Sequence, residues 1–378
     1  MINTQDNELA DICLNMLPGI GPRKYNALIE RFETSSAIFS ASQKDLCSLK
    51  GIGKKIASLI SHWHDYNPEE ELKRCQLADI KILTRTHEDY PEALNHLPDA
   101  PICLYVYGNS QCLKDFNNNL AVVGTRRPTR YGLDMTKMIC DAAAQAGFHI
   151  VSGLAVGIDT RAHLSSVEHN TPTIAVLGGG IGKLYPQQNL KLARSIAEKG
   201  AVISEYPLLF PPDRRTFPMR NRIIAGLSRG TLVVEADLNS GSLITADQSL
   251  EYGRDVFAVP GRIDYPQSRG CHKLLKLGAT LVESFQDIHD EYNLLPGLHC
   301  TIQKKESIEK ELIRKNDLQL SENEERILNF LNSGESHVDD ISIATNIPSG
   351  KLFALLLGLE TRKIVRLLPG KRYELLRI

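Results

Sequence analysis

Basic and aromatic side chains recur beside glycine turns in the middle of this chain. Gly124 and Thr125 precede Arg126 and Arg127, and a run of glycines precedes Lys183 and Tyr185. Arginine and lysine bind phosphates, a tyrosine ring stacks on a base, and glycine lets a backbone approach a ligand closely. These residue types together predict a site for single-stranded nucleic acid.

Further candidate contacts lie later in the same region. The most basic stretch, 213–227, contains Arg220, Asn221 and Arg222. Two helical residues two positions apart point about 200° away from each other. We therefore expect one arginine to enter the cleft and the other to pair with the protein body. Backbone amides at three glycine or serine positions complete the predicted site, namely Gly153, Gly241 and Ser242.

No set of side chains with catalytic spacing accompanies these residues. Asp159 and His163 are four positions apart and are either an acid–base pair or, as we favour, a helix N-cap and a packed imidazole. Three further carboxylates are dispersed, at Glu205, Glu235 and Asp237. No Gly-x-Gly-x-x-Gly or P-loop pattern is present. We expect no enzymatic activity, no metal and no cofactor.

The elements that position these residues alternate between strand and helix. Short apolar runs are separated by helix-length amphipathic stretches, at 120–123, 148–151, 173–177, 201–204, 231–234 and 256–259. Runs that are apolar on both faces predict a parallel sheet covered by helices, an α/β Rossmann-like core over 120–288. Ligands of such sheets bind beyond the carboxyl ends of the strands, where the candidate residues fall.

The first 66 residues contain two glycine turns of the same design, each followed by an amphipathic helix. They predict an N-terminal helix-hairpin-helix domain, 1–66, whose free backbone amides suit a DNA phosphate. A helical packing module without DNA contact is the alternative. The residues predicted to contact duplex DNA are Gly19, Gly21, Lys24, Gly51, Gly53 and Lys54.

Three further segments complete the predicted organisation. Residues 67–119 form a connecting subregion ending in a strand, and the charged stretch 289–320 reads as a linker. Residues 321–378 predict a winged helix, in which Ser321 and Glu324 form a capping box at the first helix. Its recognition helix, 351–360, is mainly apolar, so protein contact competes with DNA contact there.

Composition places the chain among soluble globular proteins. Its 378 residues carry a net charge of −1, yet 120–280 contains 19 Lys and Arg against 13 Asp and Glu. That segment is therefore +6 and the remainder −7, which indicates one localised anionic ligand. We expect no secretory signal and no spanning helix. Eight scattered cysteines are typical of a reducing cytoplasm.

The central domain resembles the DNA-processing protein A (DprA/Smf) family along its length. The residues that carry the resemblance read VVGTRRPTRYG, VSGLAVGIDTRAH, VLGGGIGKLYPQQN, ISEYP, FPMRNRIIAGLS, VVEADLNSGSLITA and FAVPG. The resemblance implies a homodimer that binds single-stranded DNA, displaces single-strand-binding protein and loads RecA in natural transformation. It also implies phosphate contacts at Arg126, Lys183 and 220–222. Gly182 stands where relatives often carry Asp.

Two questions remain open in the sequence. Leu274, Leu275 and Leu277 form an apolar stripe that serves either the core or a dimer surface, and the resemblance favours the dimer. The alternative function is an enzyme or sensor for a nucleotide derivative, similar to the phosphoribohydrolases that share this Rossmann variant. Those carry P-G-G-x-G-T-x-x-E, and the corresponding segment here, 238–246, lacks the glutamate. A winged-helix transcription factor is a third, weaker hypothesis.

Overall fold

Two units make up the described part of the chain. The structure, a computed structural model, describes residues 4–293, 321–331, 334–362, 364–368 and 370–375. Contacts divide the chain into Met1–Cys300 and Thr301–Ile378. Most of the predicted linker therefore lies outside the described residues, as does Cys300.

Short helices open the first unit, as predicted. Two glycine turns separate them, with Gly19 and Gly51 in the left-handed region (φ 86° and 90°), which only glycine adopts at little cost. Gly21 and Gly53 are the N-caps of the following helices, and no side chain caps those amides. The helices are α1 (Thr4–Met16), α2 (Pro22–Phe32), α3 (Ser35–Ser40), α4 (Gln43–Cys47), α5 (Lys54–Ser61) and α6 (Pro68–Leu77).

A nine-stranded sheet forms the centre of the first unit. Its order is β1-β2-β6-β5-β4-β3-β7-β8-β9, parallel from β6 to β9. The strands are β1 (Ile80–Thr84), β2 (Cys103–Gly108), β3 (Asn119–Val123), β4 (His149–Ser152), β5 (Thr173–Val176), β6 (Ala201–Ser204), β7 (Gly230–Val233), β8 (Asp255–Ala258) and β9 (Thr280–Leu281). The predicted Rossmann-like core is confirmed.

The segment predicted as a connecting subregion contributes to this sheet. β1 pairs antiparallel with β2, and β2 pairs antiparallel with β6, so both strands extend the parallel core. The helical N-terminus packs on them, because Ile12 and Leu14 share one buried cluster with Ile82 and Tyr105. Residues 1–66 and the sheet therefore share a core.

Helices cover both faces of the sheet. Their bounds are α7 (Glu92–Asn95), α8 (Arg130–Gln145), α9 (Ile158–Glu168), α10 (Leu190–Lys199), α11 (Thr216–Gly226), α12 (Gly241–Glu251), α13 (Arg269–Lys276) and α14 (Phe285–Asn293). One face buries side chains of α7, α11, α12 and α13 against the strands, and the other face buries those of α10. The polar residues after each strand are thereby left at the carboxyl edge.

The last helix of this unit passes the predicted start of the linker at 289. His289 and Tyr292 are buried, and the Tyr292 ring stacks on Phe148 at a centroid distance of 6.0 Å. The boundary prediction was wrong here because apolar contacts at single positions hold a segment whose overall composition is polar.

The apolar stripe on α13 faces its own sheet. Leu274 is 3% exposed within the main core, and Leu275 packs against that core. Only Leu277 is on the surface, with 69% of its area exposed. The dimer prediction is therefore wrong at Leu274, because a helix against a sheet buries its apolar stripe there. Leu275 is only partly buried, and its place in a dimer surface stays a prediction.

The second unit is a winged helix, as predicted. Glu324 accepts hydrogen bonds from Ser321 N and Oγ (2.7 and 2.8 Å), which confirms the capping box. A three-stranded sheet of order β10-β12-β11 follows the first helix. The elements are α15 (Glu322–Leu331), β10 (Ser336–His337), α16 (Val338–Thr345), α17 (Ser349–Thr361), β11 (Val365–Leu368) and β12 (Arg372–Leu375).

The predicted recognition helix is largely apolar on two sides. Leu352 and Leu356 are in the core of this unit, while Phe353 and Leu357 are exposed.

Among the described residues, no single helix is long and apolar enough to cross a membrane. The bent pair Val338–Thr345 and Ser349–Thr361 meets that test by length and composition alone.

Candidate nucleic-acid interface

A shallow pocket lies at the carboxyl ends of β3, β4 and β5. Arg126, Tyr185, Phe217 and Arg220 line it, together with the backbone that follows β4. They come from the turn after β3, the loop after β5 and helix α11, so the parallel arrangement of the strands is what brings them together. Three of the four were predicted from the sequence as contacts.

Arg126 holds its guanidinium over the Phe217 ring, with Cζ 5.2 Å from the ring centroid. In the described part of the chain, no carboxylate lies within ion-pairing distance of Arg126 or Arg127. Hydrogen bonds fix the turn beneath them, since Thr125 N donates to Glu235 O (2.7 Å). The two arginines are therefore held in place and exposed.

Gly124 makes this turn fit against the neighbouring helix. A Cβ at Gly124 would lie 2.7 Å from Cγ1 of Ile158, and one at Gly157 would lie 2.5 Å from Thr125 O. Both positions need glycine, because the Ile158 side chain fills the space beside Gly124 and the backbone of Thr125 lies against Gly157. This contact places the start of α9 beside the arginine turn.

Arg220 forms the buried cationic floor of the pocket. Its side chain is 5% exposed, and Nη1 donates to Gly153 O (2.7 Å) and to Val176 O. Burial lowers the pKa of Arg220 to about 10, so the guanidinium remains charged at neutral pH. The carbonyls orient that charge towards the turn after β4.

Asp159 holds the same turn from below. Its Oδ2 accepts hydrogen bonds from Gly153 N (3.1 Å) and Ala155 N (3.3 Å). Burial raises the pKa of this carboxyl, while Arg220 and Arg126 act in the opposite direction. The N-cap of α9 is Gly157, so the predicted N-cap role of Asp159 is wrong.

His163 is a buried structural residue with a defined tautomer. Thr173 Oγ1 donates to Ile150 O (2.7 Å) and is 2.8 Å from His163 Nδ1. The hydroxyl proton is thus committed, and Nδ1 must be the donor in the second bond. No hydrogen bond joins His163 to Asp159 in the described residues, so the acid–base pair is not formed.

Lys183 and Tyr185 project from the loop that follows β5. Both are exposed, and 53% of the Tyr185 area faces solvent. The Tyr185 ring lies 6.0 Å from that of Phe217. No carboxylate pairs with Lys183 within the described ranges. This loop therefore presents an exposed cation two residues before an exposed aromatic ring.

The glycines before Lys183 do not form an open loop. Gly178, Gly179 and Gly180 are buried beneath the segment that follows β6. A Cβ on Gly180 would lie 2.2 Å from Pro207 O, and Gly180 N donates to Phe210 O (2.9 Å). The prediction that these glycines let the backbone approach a ligand was wrong, because they serve close packing within the protein.

Arg222 points into the protein body. It is 1% exposed, and its guanidinium is bonded to Glu205, with Asp99 at 3.9 Å. The helical spacing correctly separated the two arginines but left open which one faces the cleft. The prediction that Arg222 contacts a phosphate was wrong, since its charge is paired and buried.

Asn221, Gly241 and Ser242 join two helices behind the pocket. Asn221 Nδ2 donates to Gly241 O (3.1 Å), and Ser242 N donates to its N-cap Ser240 (3.4 Å). None of the three lines the pocket. Their polar groups are used within the protein, so the structure favours a positioning role.

Phe217 is the pocket residue that the sequence analysis missed. It supports Arg126 and approaches Tyr185. An aromatic residue inside the most basic stretch of a chain is itself a signal of single-strand binding. The prediction for that stretch considered only its arginines and Asn221 and therefore overlooked Phe217.

We expect Gly153→Ala to disrupt the pocket. A Cβ at this position would lie 2.2 Å from Arg220 Nη1, which two carbonyls hold in place. Displacing the guanidinium should destabilise folding by about 1–3 kcal/mol, the cost of overpacking, and should weaken oligo-dT binding. Fluorescence titration and thermal unfolding measure both effects. Gly241→Ala is the control, because a Cβ added there would have nothing within 4 Å. Equal stability and equal oligo-dT affinity of the two variants would contradict the role of Gly153 in the pocket.

Acid is expected to destabilise the protein through His163. Burial lowers the pKa of this imidazole from 6.5 to about 3. The unfolded chain therefore binds a proton at this imidazole below about pH 6.5, whereas the folded chain binds it only below about pH 3. The free energy of unfolding consequently falls as the pH drops through this window. Going from pH 7 to pH 5 should cost about 2 kcal/mol from this residue. Urea unfolding at both pH values should show that His163→Gln loses less free energy of unfolding than the wild type does. An equal loss in the two proteins would contradict this role of His163.

Comparisons with known proteins agree with this architecture. The family model described as DNA recombination-mediator protein A matches residues 81–293. A SAM-like helix-hairpin-helix tandem matches 13–61, and the DprA winged helix domain matches 315–371. The predicted resemblance is confirmed, as are both terminal domains.

Full-length relatives and solved structures point to the same family. The Smf protein of Synechocystis sp. is 34% identical over 95% of this chain and 96% of its own length. DNA processing protein A of Streptococcus pneumoniae has a crystal structure with 34% identity and a TM-score of 0.66, covering 77% of this chain and 99% of that one. A structure titled for the single-stranded DNA binding mode of the Helicobacter pylori protein has 32% identity and a TM-score of 0.52, covering 58% and 97%. The chain belongs to the DNA recombination-mediator protein A family.

Proposed function

We propose that this protein binds single-stranded DNA without sequence preference and loads RecA on it during natural transformation. It acts as a cytoplasmic homodimer, displaces single-strand-binding protein and catalyses no reaction. The observation that carries the proposal is the pocket of Arg126, Tyr185, Phe217 and Arg220 with Lys183 beside it. Cations close to aromatic ring faces are what an unpaired strand requires.

The contacts available in the pocket favour binding that ignores sequence. Arg126 and Lys183 offer charge to phosphates, and Tyr185 and Phe217 offer ring faces. Every base has a stacking face, so such contacts do not distinguish one base from another. Sequence-specific binding would need a fixed set of polar groups aimed at base edges.

The absence of catalysis rests on how the polar side chains are used. Asp159 binds backbone amides, His163 binds Thr173, and Glu205 binds Arg222. No group of three His, Cys, Asp or Glu residues in the described ranges has the geometry of a metal site. The recombinase step is supported by the family, whose description is that of a recombination mediator.

Two further parts of the proposal concern the ends of the first unit. The homodimer uses the surface that includes Leu277, which is exposed next to the short edge strand β9. The glycine hairpins contact duplex DNA through the uncapped amides after Gly21 and Gly53. Lys24 assists the first hairpin from within, since its Nζ donates to Gly19 O (2.7 Å).

Three titrations and one hydrolysis assay, run in parallel, test the proposed function. Oligo-dT, a duplex of equal length and a mixed-sequence single strand are titrated into the protein, and nucleotide hydrolysis is measured beside them. We expect both single strands to bind with affinities within about tenfold of each other, a difference of 1.4 kcal/mol, and no nucleotide turnover. A preference for one sequence above that level, or turnover of any nucleotide, would overturn the proposal in favour of a reader or an enzyme.

A further inference from the structure

A second cavity, of about 480 Å³, lies on the other side of the arginine turn. It opens between the carboxyl ends of β3, β7 and β8, and Tyr131 and Tyr265 are among its walls. The strand order reverses between β3 and β7, and the crevice at such a switch point is where open α/β sheets bind ligands. A cavity of this volume matches the size of ordinary ligand sites.

We propose that this cavity is a second subsite for the same strand: it takes a nucleobase between Tyr131 and Tyr265, with flanking phosphates at Arg130 and Arg262. The inference rests on the proposed function and deepens it. It assigns a role to residues that the first pocket does not use.

The two tyrosines present their rings to the cavity. Tyr131 is 43% exposed and Tyr265 is 40% exposed. Tyr131 Oη donates to Pro260 O (2.7 Å), which fixes its ring. Arg262 holds Cζ 4.9 Å from the Tyr265 ring centroid. Fixed rings with large accessible faces stack well on bases because little side-chain freedom is lost on binding.

Charge divides the cavity into a rim for phosphate and a floor for base. Arg130 pairs with Asp134 (3.0 Å) and Arg262 pairs with Asp264 (2.9 Å). Surface pairs of this kind are weak, so a phosphate can replace the carboxylate. The floor contains Glu235, whose buried carboxylate accepts a hydrogen bond from Thr129 N (2.9 Å). Its negative charge repels a phosphate but tolerates the N–H groups of a base.

One segment forms a wall of both pockets. Arg126 faces the first pocket and Tyr131 faces the second, with the exposed Arg127 between them. The first pocket is centred on β4 and the second on β7, with β3 between them. Two strand spacings amount to about 10 Å. A strand that leaves the first pocket therefore reaches the second by crossing Arg127.

Length-dependent binding tests the second subsite. The variant Tyr131→Ala/Tyr265→Ala is titrated with oligo-dT of about 2 and about 12 nucleotides, because the shorter strand cannot fill both pockets. We expect an affinity loss of about tenfold for the longer strand, the effect of one lost stacked base, and little change for the shorter one. Tyr131→Phe should retain most of the wild-type affinity, because it keeps the ring and loses only the hydrogen bond to Pro260 O. Phe353→Ala, an exposed aromatic in the second unit, is the control for loss of a ring elsewhere.

Photocrosslinking of the wild-type protein provides the second measurement. Oligo-dT carrying 5-iododeoxyuridine at successive positions should crosslink to peptides that contain Tyr131 or Tyr265. Crosslinks confined to the first pocket, or an equal affinity loss at both lengths, would overturn the proposal. Crosslinking of the free iodinated nucleotide alone would also overturn it, by making the cavity a mononucleotide site. Absence of any oligo-dT binding by the wild type would instead refute the proposed function, and this subsite with it.

Discussion

Replacing Arg126 and Lys183 together by alanine is expected to weaken oligo-dT binding by about 2–4 kcal/mol, or roughly 30- to 1,000-fold. Each side chain should contribute about 1–2 kcal/mol, the scale of one charge-assisted contact. Both cations are exposed and make no ion pair within the described residues, so folding should be nearly unaffected. Fluorescence anisotropy of labelled oligo-dT measures the loss.

The salt dependence of binding provides an internal check on the same variant. Each phosphate contact to a single strand contributes about 0.7 to the slope of log affinity against log salt. The double variant should therefore show a slope smaller by about 1.4. Lys73→Ala, which removes an exposed cation from α6, should leave affinity and slope unchanged. Wild-type affinity in the double variant would show that the DNA binds elsewhere than at the carboxyl edge of the sheet.

Leu274→Glu and Leu277→Glu are expected to have opposite consequences. Leu274 is buried in the main core, so a glutamate there places an uncompensated charge in an apolar environment. The free energy of unfolding should fall by more than about 4 kcal/mol, which abolishes folding in a marginally stable domain. Leu277 is exposed, and its replacement should change stability by no more than about 0.5 kcal/mol. Urea unfolding separates the two.

The Leu277 variant also tests how the homodimer uses its clefts. A two-fold dimer presents two clefts to one strand, which raises apparent affinity through effective concentration. Leu277→Glu should therefore give a monomer that binds short oligonucleotides normally but loses the extra affinity for strands that span both clefts. Light scattering and a length series measure this. A dimeric Leu277→Glu would place the dimer surface elsewhere, and equal length dependence in monomer and dimer would exclude the two-cleft mechanism.

The shared core changes what a truncation can reveal. Removing residues 321–378 deletes part of a separate unit, so most single-strand binding should survive. Removing residues 1–66 strips apolar side chains such as Ile12 from Ile82 and Tyr105. We expect that deletion to destabilise the sheet, contrary to the sequence-based expectation of an independent domain. Lys54→Ala is therefore the better probe of the hairpins, since it removes charge without exposing the core.

Six strands of the parallel core, β3 to β8, were predictable because each is an apolar run between amphipathic stretches. The two-residue strand β9, which is also parallel, was not predicted. β1 and β2 were not assigned to the sheet, because prolines at 91, 98 and 101 made their surroundings resemble a connection. Antiparallel pairing at the edge of a sheet depends on contacts between segments far apart in the chain. The hydrophobic periodicity of one segment does not reveal those contacts.

The candidate site was predictable by residue type but not by direction. Arg126, Lys183 and Tyr185 lie on turns, where the sequence pattern alone places them at the edge. Arg220 and Arg222 are chemically identical, and only the positions of Gly153 O and Glu205 decide which of them forms the pocket floor. The burial of Gly178–Gly180 likewise follows from the segment that covers them. Tertiary contact, rather than local preference, determined each difference.

Amide hydrogen exchange with and without oligo-dT tests the central claim most directly, because it reports where on the chain the strand is held. We predict slower exchange in the turn at 124–131 and in the loop at 181–186, with little change in the hairpins at 17–24 and 49–55 or in the second unit. Protection confined to the hairpins or to the winged helix, with the carboxyl edge of the sheet unchanged, would contradict it.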